Sequence, residues 1–414
     1  MGSATYIAQL SANDIQAMRT EKTTKALMEA KKALLGYAVA IDLQGACTTS
    51  CARPGDLPCP DIDNDGEAET ACGNAAGTTN QVNRLGRLPW KTLGLGDLRD
   101  GNGERLWYAV SNNFKNNAKA LPLNNDTLGT INITDFGGAV SANATGTTGA
   151  VAVIISPGEL LTRQDGTQQL RSTANENVAI HYLDNALGED NADFFDSTTN
   201  GFIKGIIRNV TGDIILNDQM MPISTQDMFA AIDAKVLKEV KAAIDEYFSL
   251  NSYYPYPASF IDVGCLGTSS LLTCSSILLN YEGRIPATML LLTPAWQPTS
   301  ILRAESNNNW FQQNGWREHV YYAVSPACTS ILAPNCTGAG ASLTLKGAIE
   351  NATNKDIILL MSGPTLTGQS RSNNAQKTLI SNYYESENVS NLNGIFQREI
   401  PLTTTFNDSA ESAP

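Results

Sequence analysis

Gly86-Arg87-Leu88-Pro89 and Gly283-Arg284-Ile285-Pro286 are nearly the same tetrapeptide, and 197 positions separate them (86 to 283). Leu57-Pro58-Cys59-Pro60 and Tyr254-Pro255-Tyr256-Pro257 lie at the same spacing (57 to 254). Recurrence of several motifs in one order indicates an internal repeat. A chain of 414 residues is long enough for two such domains. The sequence therefore predicts a tandem of two related modules.

A third motif repeats at a different spacing. Trp107-Tyr108-Ala109-Val110-Ser111 returns as Tyr321-Tyr322-Ala323-Val324-Ser325, 214 positions later (107 to 321). Loop insertions change such spacings without changing the order of the elements. The difference between the two spacings (214 minus 197) indicates that the second module carries 17 extra residues between its motifs.

Each module opens with an amphipathic helical pattern. Apolar residues recur at spacings of three and four over 13–41 and again over 225–250, with charged residues between them. Ser11 or Asn13 can cap the first helix, because both side chains accept hydrogen bonds from a first helical turn.

Short runs rich in β-branched and aromatic residues follow each helix, as strands do. These runs are 106–110, 150–155, 320–324 and 357–360. Pro222 stands just before the second helix and is the expected joint. We therefore place the first module at residues 11–222 and the second at residues 223–414.

The composition narrows the class of protein. Hydrophobic residues make up 42% of the chain but charged residues only 17%, and Asn, Thr, Ser and Gly are plentiful, as in β-rich extracellular proteins. The formal net charge of −13 does not supply the basic face that nucleic acids and anionic membranes require. We expect no nucleic-acid partner.

The eight cysteines occur in local groups. Cys265 with Cys274, and Cys328 with Cys336, each enclose a short loop, which predicts two disulfides. The first group allows three pairings and its spacing does not choose among them; it comprises Cys47, Cys51, Cys59 and Cys72. Zinc is the weaker alternative, because there is no CxxC knuckle and only two distant histidines. Disulfides indicate an oxidising compartment.

The N-terminal sequence gives no export or membrane signal. No run of about 18 apolar residues occurs, and no signal peptide is recognisable. Met1-Gly2-Ser3 resembles a cloning remnant. Because a protein with disulfides has to be exported, we expect that a native N-terminus has been removed.

The order of motifs in the first module is a helix, a proline-rich segment, an Asp- and Gly-containing turn and an aromatic strand. The residues that carry this order are Leu34-Leu35-Gly36-Tyr37, Pro58-Cys59-Pro60, Gly86-Arg87-Leu88-Pro89-Trp90, Asp97, Asp100, Gly101, Trp107 and Tyr108. It resembles the globular part of type IV pilin-like proteins, the minor pilins and pseudopilins of bacterial pili and type II secretion. The resemblance covers both copies and hence most of the chain.

The resemblance implies an α+β fold with two tandem αβ-rolls, each a long N-terminal helix packed on an antiparallel sheet. It implies a structural and interaction subunit, the soluble part of a large minor pilin or pseudopilin, whose partners are other such subunits. A missing apolar N-terminal helix would anchor it in the bacterial inner membrane before filament assembly, and it would then lie at the cell surface or in the periplasm. Two departures stand out: the family's hydrophobic half-helix is absent, and the duplication is unusual.

The sharpest chemical motif is Asp61-Ile62-Asp63-Asn64-Asp65-Gly66-Glu67-Ala68-Glu69. Oxygen ligands at alternate positions, with glycine for a tight turn, are typical of loops that bind Ca²⁺. An EF-hand requires Glu at its twelfth position, where Cys72 stands here. We predict a Ca²⁺ site of another type at Asp61, Asp63, Asp65, Glu67 and Glu69. The alternative is a solvated acidic turn held by Cys59 and Cys72.

A second oxygen-rich turn contains Asp97, Asp100, Asn102 and Glu104. Calcium is conceivable there, but a β-turn whose Asp and Asn side chains bond to their own backbone explains it better.

Aromatic residues in the second module suggest a binding surface. Tyr253, Tyr254, Tyr256 and Phe260 follow the helix, and we favour core packing for them. Trp296 and Trp310 lie in the insertion of the second module, so we predict that they bind a partner or surface ligand.

Enzyme motifs are weak. His181 and His319 occupy non-equivalent places in the two modules, and no GxSxG, phosphate loop or dinucleotide fingerprint occurs. We expect His181 to end a strand and His319 to be a polar surface residue. We predict no enzymatic activity. A secreted hydrolase would require a deep pocket with converging titratable groups.

The alternative function is a secreted calcium-dependent adhesin or glycan-binding module that does not enter a filament. It would need only a cleavable signal peptide, whereas a pilin needs a leader and about 20 apolar residues.

Overall fold

In the computed structural model, the chain is described over most of its length. The described residues are 11–41, 52–73, 84–119, 122–135, 137, 139–143, 148–194, 201–268, 273–290, 293–303, 309–329, 336, 342–347, 350–389, 393–398 and 402–413. Two compact units divide them, and the main boundary follows Thr225. Ile41 and the stretches 52–55 and 122–127 group with the second unit.

The first unit contains one long helix and eleven short strands among its described residues. Helix α1 is Ala12–Ala40. The strands are β1 (Leu85–Arg87), β2 (Trp107–Val110), β3 (Ile133–Asp135), β4 (Val140–Ala142), β5 (Ala152–Ser156), β6 (Asn185–Ala186), β7 (Glu189–Asp190), β8 (Phe202–Lys204), β9 (Ile207–Arg208), β10 (Ile214–Leu216) and β11 (Gln219–Ile223).

The second unit opens with helix α2 (Thr225–Asn251), whose first residue belongs to the first unit. Two helices of one turn follow, α3 (Trp310–Gln313) and α4 (Asn374–Lys377). The strands are β12 (Glu282–Arg284), β13 (Val320–Val324), β14 (Leu343–Lys346), β15 (Ala352–Lys355), β16 (Ile357–Met361), β17 (Ile395–Gln397) and β18 (Ser409–Ala413).

The main sheets of the two units have the same topology, and the first unit has, among its described residues, two further two-stranded sheets, β9-β10 and β6-β7. The first main sheet has the order β1-β2-β5-β11 and the second has the order β12-β13-β16-β18, and every pair is antiparallel. Gly86 pairs with Tyr108 in the first, and Gly283 pairs with Tyr322 in the second. Each unit also has a small sheet, β4-β3-β8 or β15-β14-β17, with one parallel pair. The repeated sequence therefore corresponds to repeated architecture.

The repeated glycine is required by a close backbone approach. A Cβ on Gly86 would lie 2.6 Å from the carbonyl oxygen of Asp61, and a Cβ on Gly283 would lie 2.2 Å from that of Ala258. In both units the preceding loop forms a β-bridge with the arginine after this glycine. Any side chain at the glycine would break this bridge.

Helix α1 packs on the first main sheet through strands β5 and β11. Its buried face is Thr23, Ala26, Leu27, Ala30, Leu34 and Ala38. Ser11 caps the helix: its hydroxyl accepts the amide hydrogen of Asp14, and the Asp14 carboxylate accepts from the Ser11 amide. Strand β5 is buried along its whole length, as expected of a strand covered on both faces.

Helix α2 packs through aromatic pairs in the second unit. Phe229 contacts Trp316, Tyr247 contacts Trp296, and Phe248 stacks on Tyr254 with ring centroids 4.4 Å apart. Pro222 lies within β11 at the edge of its sheet, where a missing amide hydrogen costs no ladder bond. No helix among the described residues is long and apolar enough to cross a bilayer.

Three disulfides join described cysteines: Cys59–Cys72, Cys265–Cys274 and Cys328–Cys336. The second and third confirm the predicted loops, and the first selects one pair from the group that the sequence left open. Cys47 and Cys51 lie outside the described residues.

Candidate functional site

The loop Asp61–Asp65 brings three carboxylates together. Asp61, Asp63 and Asp65 each offer an oxygen, and these atoms lie within 4.8 Å of one another. Calcium–oxygen bonds of about 2.3–2.6 Å allow this separation between two ligands of one ion. Asp61 is buried, whereas Asp63 and Asp65 are exposed, so the cluster opens to solvent on one side.

Backbone amides shape the loop around these carboxylates. Asp61 accepts the amide hydrogens of Asn64 at 2.6 Å and of Gly66 at 2.8 Å. Asp65 accepts the amide hydrogen of Glu67 at 2.7 Å. Such Asx turns set the side chains before any ion binds.

Neither predicted glutamate joins the cluster. Glu69 accepts the amide hydrogen of Ile62 at 3.2 Å, and Glu67 is exposed. Asn64 is also engaged, since Arg105 donates to its carbonyl at 2.9 Å and to its side-chain oxygen at 2.8 Å. A bound ion would therefore rely on the three aspartates, other carbonyls and water.

The loop is tied to the first main sheet. Asp61 and Arg87 exchange both backbone hydrogen bonds, at 3.0 and 2.7 Å. Gly66 has φ of 92°, and a Cβ there would lie 2.6 Å from the Trp90 ring. The Cys59–Cys72 disulfide brackets the loop. The aspartates are thus held by a strand, a ring and a covalent link.

Asp61 is a buried acid that lies beside two other carboxylates. Burial raises the pKa of Asp61, and the charges of Asp65 and Asp63 add to this rise, while hydrogen bonds from Gly66 and Asn64 oppose it. A positive ion among the three carboxylates would relieve both the burial cost and the repulsion.

The second module does not repeat this chemistry. Ala258 stands where Asp61 does, and Phe260 stands where Asp63 does (both 197 positions later). Asp262 takes the place of Asp65 and accepts the Gly264 amide at 2.8 Å.

In the second oxygen-rich turn, groups of the protein already occupy the acidic side chains through hydrogen bonds and ion pairs. One oxygen of Asp100 accepts the amides of Asn102 and Glu104, each at 2.9 Å, and the other accepts the Ser156 hydroxyl at 2.7 Å. Asp97 pairs with Arg99 and Arg105. This is the self-bonded turn that the sequence favoured.

The structure corrects the prediction for Trp296 and Trp310. Both rings are only 3% exposed. Trp296 donates its indole N–H to the Pro286 carbonyl at 2.9 Å and packs edge-on against Tyr247. Trp310 packs edge-on against Phe311. The insertion uses both rings as core, so neither offers a face to a ligand. Tyr253 and Tyr254 are also buried, as expected for packing.

The prediction for His319 is also wrong, because the side chain is fully buried. It ends the 3-10 turn Trp316–His319 and lies beside Ser362 and Asp126. Ser362 is buried too, so this Ser-His-Asp group cannot meet a substrate carbonyl. His181 lies in a 3-10 turn, Ala179–His181, rather than at a strand end.

A shallow depression of about 560 Å³ lies on the first unit. It is lined by Asp135, Gly137, Lys204, Gly205, Gln219 and Met220. This lining contains no nucleophile paired with a base.

Comparison of the chain with protein-family models, with curated proteins and with solved structures finds no match.

Proposed function

We propose that this chain is a structural and interaction subunit, the globular part of a large minor pilin or pseudopilin in a bacterial filament of the type IV pilus or type II secretion kind. Its partners would be other subunits of that filament. It would be held in the inner membrane before assembly and lie at the cell surface or in the periplasm afterwards. In this proposal the two units are tandem pilin-like αβ-rolls without enzymatic activity.

The observation that carries the proposal is the exposed start of helix α1. Residues 11–18 are all exposed, and burial on the sheet begins only at Thr23. Ile15 and Met18 lie on this segment and are 40% and 58% exposed. A helical stem with free apolar side chains is what a subunit needs to pack against neighbouring stems in a helical assembly.

Other features agree with this role. Short motifs, a repeated helix and sheet, and disulfides suit an exported structural protein. The four-stranded sheets place buried aromatic and aliphatic side chains along their whole central strands, which is typical of rigid scaffolds.

The deciding experiment is mass spectrometry of the mature N-terminus of the full-length protein from its native host. An N-methylated apolar residue at the start of a hydrophobic stretch is the expected result, because prepilin processing leaves it. A polar, unmodified N-terminus after ordinary signal cleavage would overturn the proposal.

A second experiment tests the helix itself. Met18→Asp should remove the protein from isolated filaments while leaving its circular dichroism unchanged, since residue 18 supports no core. Leu170→Asp is the matched control, because Leu170 is 57% exposed on the same unit but lies off the helix. Normal incorporation of Met18→Asp would contradict a role for the stem.

A calcium-dependent adhesin or glycan-binding module is the second candidate. The convergence of Asp61, Asp63 and Asp65 favours it. Ligand binding that disappears with a chelator, in a protein that never enters filaments, would support this candidate over the first.

A further inference from the structure

The second unit contains a buried cluster that the proposed function does not use. Nε2 of His319 lies 3.6 Å from Oε1 of Glu318 and 3.8 Å from Oδ2 of Asp126. The ligand atoms of these three side chains lie within 4.8 Å of one another. His319 and Glu318 are buried, and Asp126 is partly exposed.

The imidazole nitrogen that faces the carboxylates has no hydrogen-bond partner among the residues that the structure describes. Nε2 of His319 is buried and unbonded, although Nδ1 lies 3.1 Å from the Ser362 hydroxyl. If Nε2 carries a hydrogen, both carboxylates are too distant to accept it well. If Nε2 is bare, its lone pair faces two anionic oxygens. Either form leaves an unfavourable gap that a cation would fill.

We propose that Asp126, Glu318 and His319 bind a divalent transition metal such as Zn²⁺. Bonds of about 2.0–2.2 Å in a tetrahedral site place ligand atoms ~3.4 Å apart, close to the separations around Nε2. A nitrogen with two carboxylates suits zinc better than calcium, which prefers oxygen ligands alone. The partly exposed side of Asp126 leaves a fourth position for water.

The residues around the cluster form the supporting shell that such a site requires. Ser362 orients the imidazole through Nδ1 and receives a hydrogen bond from Arg371 at 3.0 Å. The Gly267 amide donates to Oε2 of Glu318 at 3.0 Å. These contacts fix the direction of the histidine and the glutamate before metal enters.

Two cations compete with the metal. Arg371 lies 2.8 Å from Oδ1 of Asp126, and Lys377 lies 2.7 Å from Oε1 of Glu318. Oδ2 of Asp126 faces His319, but Lys377 shares the glutamate oxygen that the metal would use. Lys377 is therefore expected to weaken binding.

The first unit has the same scaffold without the site. Arg105 stands where His319 does (214 positions earlier), and Pro157 stands where Ser362 does (205 positions earlier, following the paired strands β5 and β16). The cluster therefore belongs to the second copy and is not a general feature of the fold.

The test uses the whole chain after dialysis against a chelator. Titration with Co²⁺, followed by visible absorption, should show one tightly bound equivalent that Zn²⁺ displaces. His181→Gln is the matched control, because His181 is the only other histidine, and it should leave the titration unchanged. If the wild-type protein binds no tight equivalent of Co²⁺, or if His181→Gln loses that bound Co²⁺, the proposal is overturned.

Several variants together locate the metal ligands, so the test does not depend on a single variant that could misfold. Asp126→Asn, on the partly exposed side, should abolish the stoichiometric equivalent, whereas Asp63→Asn in the first unit should not. Ser362→Ala should weaken the affinity about 10–100-fold, as losses of supporting contacts do. Lys377→Gln should strengthen it. A cluster of ion pairs without metal function would show no gain in Lys377→Gln and no dependence on Asp126, and either result contradicts the site.

Discussion

The backbone amide of Asp184 donates to the carboxylate of Asp218 at 2.9 Å, and Glu385 repeats this contact toward Asp408 at 3.1 Å. In each unit the same oxygen also accepts a side-chain amide, from Asn191 or Asn388. The two units thus carry equivalent acid pairs next to the strand that closes the main sheet; Asp184, Asp218 and Asp408 are buried and Glu385 is half-buried.

These pairs predict a pH dependence of stability. Burial raises the pKa of Asp184 to about 6 and the pKa of Asp218 well above its ordinary value. Because the folded pKa exceeds the unfolded one, the protonated pair stabilises the fold fully below about pH 4, and this contribution is lost as the pH rises through 6. For Asp184 alone the loss is ~3 kcal/mol. Thermal unfolding followed by circular dichroism from pH 4 to pH 8 measures it.

The variant Asp218→Asn distinguishes the contribution of the Asp184–Asp218 pair to the pH dependence from the contributions of other acids. The amide cannot ionise, so the variant should lose less stability than the wild type between pH 4 and pH 8. Glu282 and Asp356, whose pKa values burial also raises, to about 7 and about 6, titrate in both proteins and cancel in the comparison. If the stability of Asp218→Asn falls with pH as steeply as that of the wild type, the pH dependence does not come from the Asp184–Asp218 pair.

Gly66 is predicted to be more sensitive to substitution than Gly94. Both have positive φ, but only Gly66 would place a Cβ against Trp90, whereas nothing lies within 4 Å of a Cβ on Gly94. Gly94→Ala should cost about 1 kcal/mol of unfolding free energy from backbone strain, and Gly66→Ala ~1–3 kcal/mol more. Urea denaturation of both variants gives the difference. Equal losses would mean that Trp90 moves aside freely.

Calcium removal is predicted to destabilise the first unit. If the three aspartates hold Ca²⁺, a ligand at 100 times its Kd raises the unfolding free energy by about 2.7 kcal/mol, and EGTA should remove that gain. Asp63→Asn should abolish the difference between the two conditions. Asp262→Asn is the matched control, because Asp262 occupies the position of Asp65 in the second unit. A calcium effect that survives Asp63→Asn would place the ion elsewhere.

Arg284→Lys is predicted to destabilise the second unit. The Arg284 guanidinium donates to the carbonyls of Phe260, Glu318 and Lys377 and stacks over the Phe260 ring at 4.1 Å. A lysine cannot reach all three carbonyls with this geometry. We expect a loss of ~3 kcal/mol, since hydrogen bonds to charged groups contribute about 1.5–3 kcal/mol each. Chemical denaturation measures it.

Arg208→Lys serves as the control for this substitution. Arg208 is exposed, and among the described residues it donates a hydrogen bond only to the Gly212 carbonyl. Its replacement should change stability by less than about 0.5 kcal/mol, as surface changes usually do. If both variants lose similar unfolding free energy, the buried contacts of Arg284 do not account for its effect.

Local periodicity predicted the helices well. The expected helices, 13–41 and 225–250, differ from the observed ones by a single residue at most at each end. Spacings of three and four over more than twenty residues leave little freedom in the assignment. The repeated tetrapeptide likewise predicted equivalent strands, because its glycine is required by a backbone contact in both copies.

Burial that depends on distant partners could not be read from the sequence. Glu318-His319 is a polar pair and resembles surface sequence, but both residues are buried, beside the partly exposed Asp126 from another part of the chain. Trp296 and Trp310 lie in an insertion, which suggested exposure, yet Trp296 packs against Tyr247 and Trp310 against Phe311. The dipeptide Asn-Asp occurs in both units, at residues 217–218 and 407–408, but only the fold brings Asp184 and Glu385 to it.

Arg87 and Arg284 stabilise their units by donating hydrogen bonds to main-chain carbonyls. Arg87 bonds the carbonyl of Glu176, and Arg284 bonds the carbonyl of Lys377 at the corresponding place. These two partners have opposite charges and serve equally, because a carbonyl is the same in every residue. The main-chain contact itself therefore does not fix the charge at either position, although the Lys377 ammonium separately pairs with Glu318. The same main-chain contact thus occurs in both units although its partner residues expose different side chains.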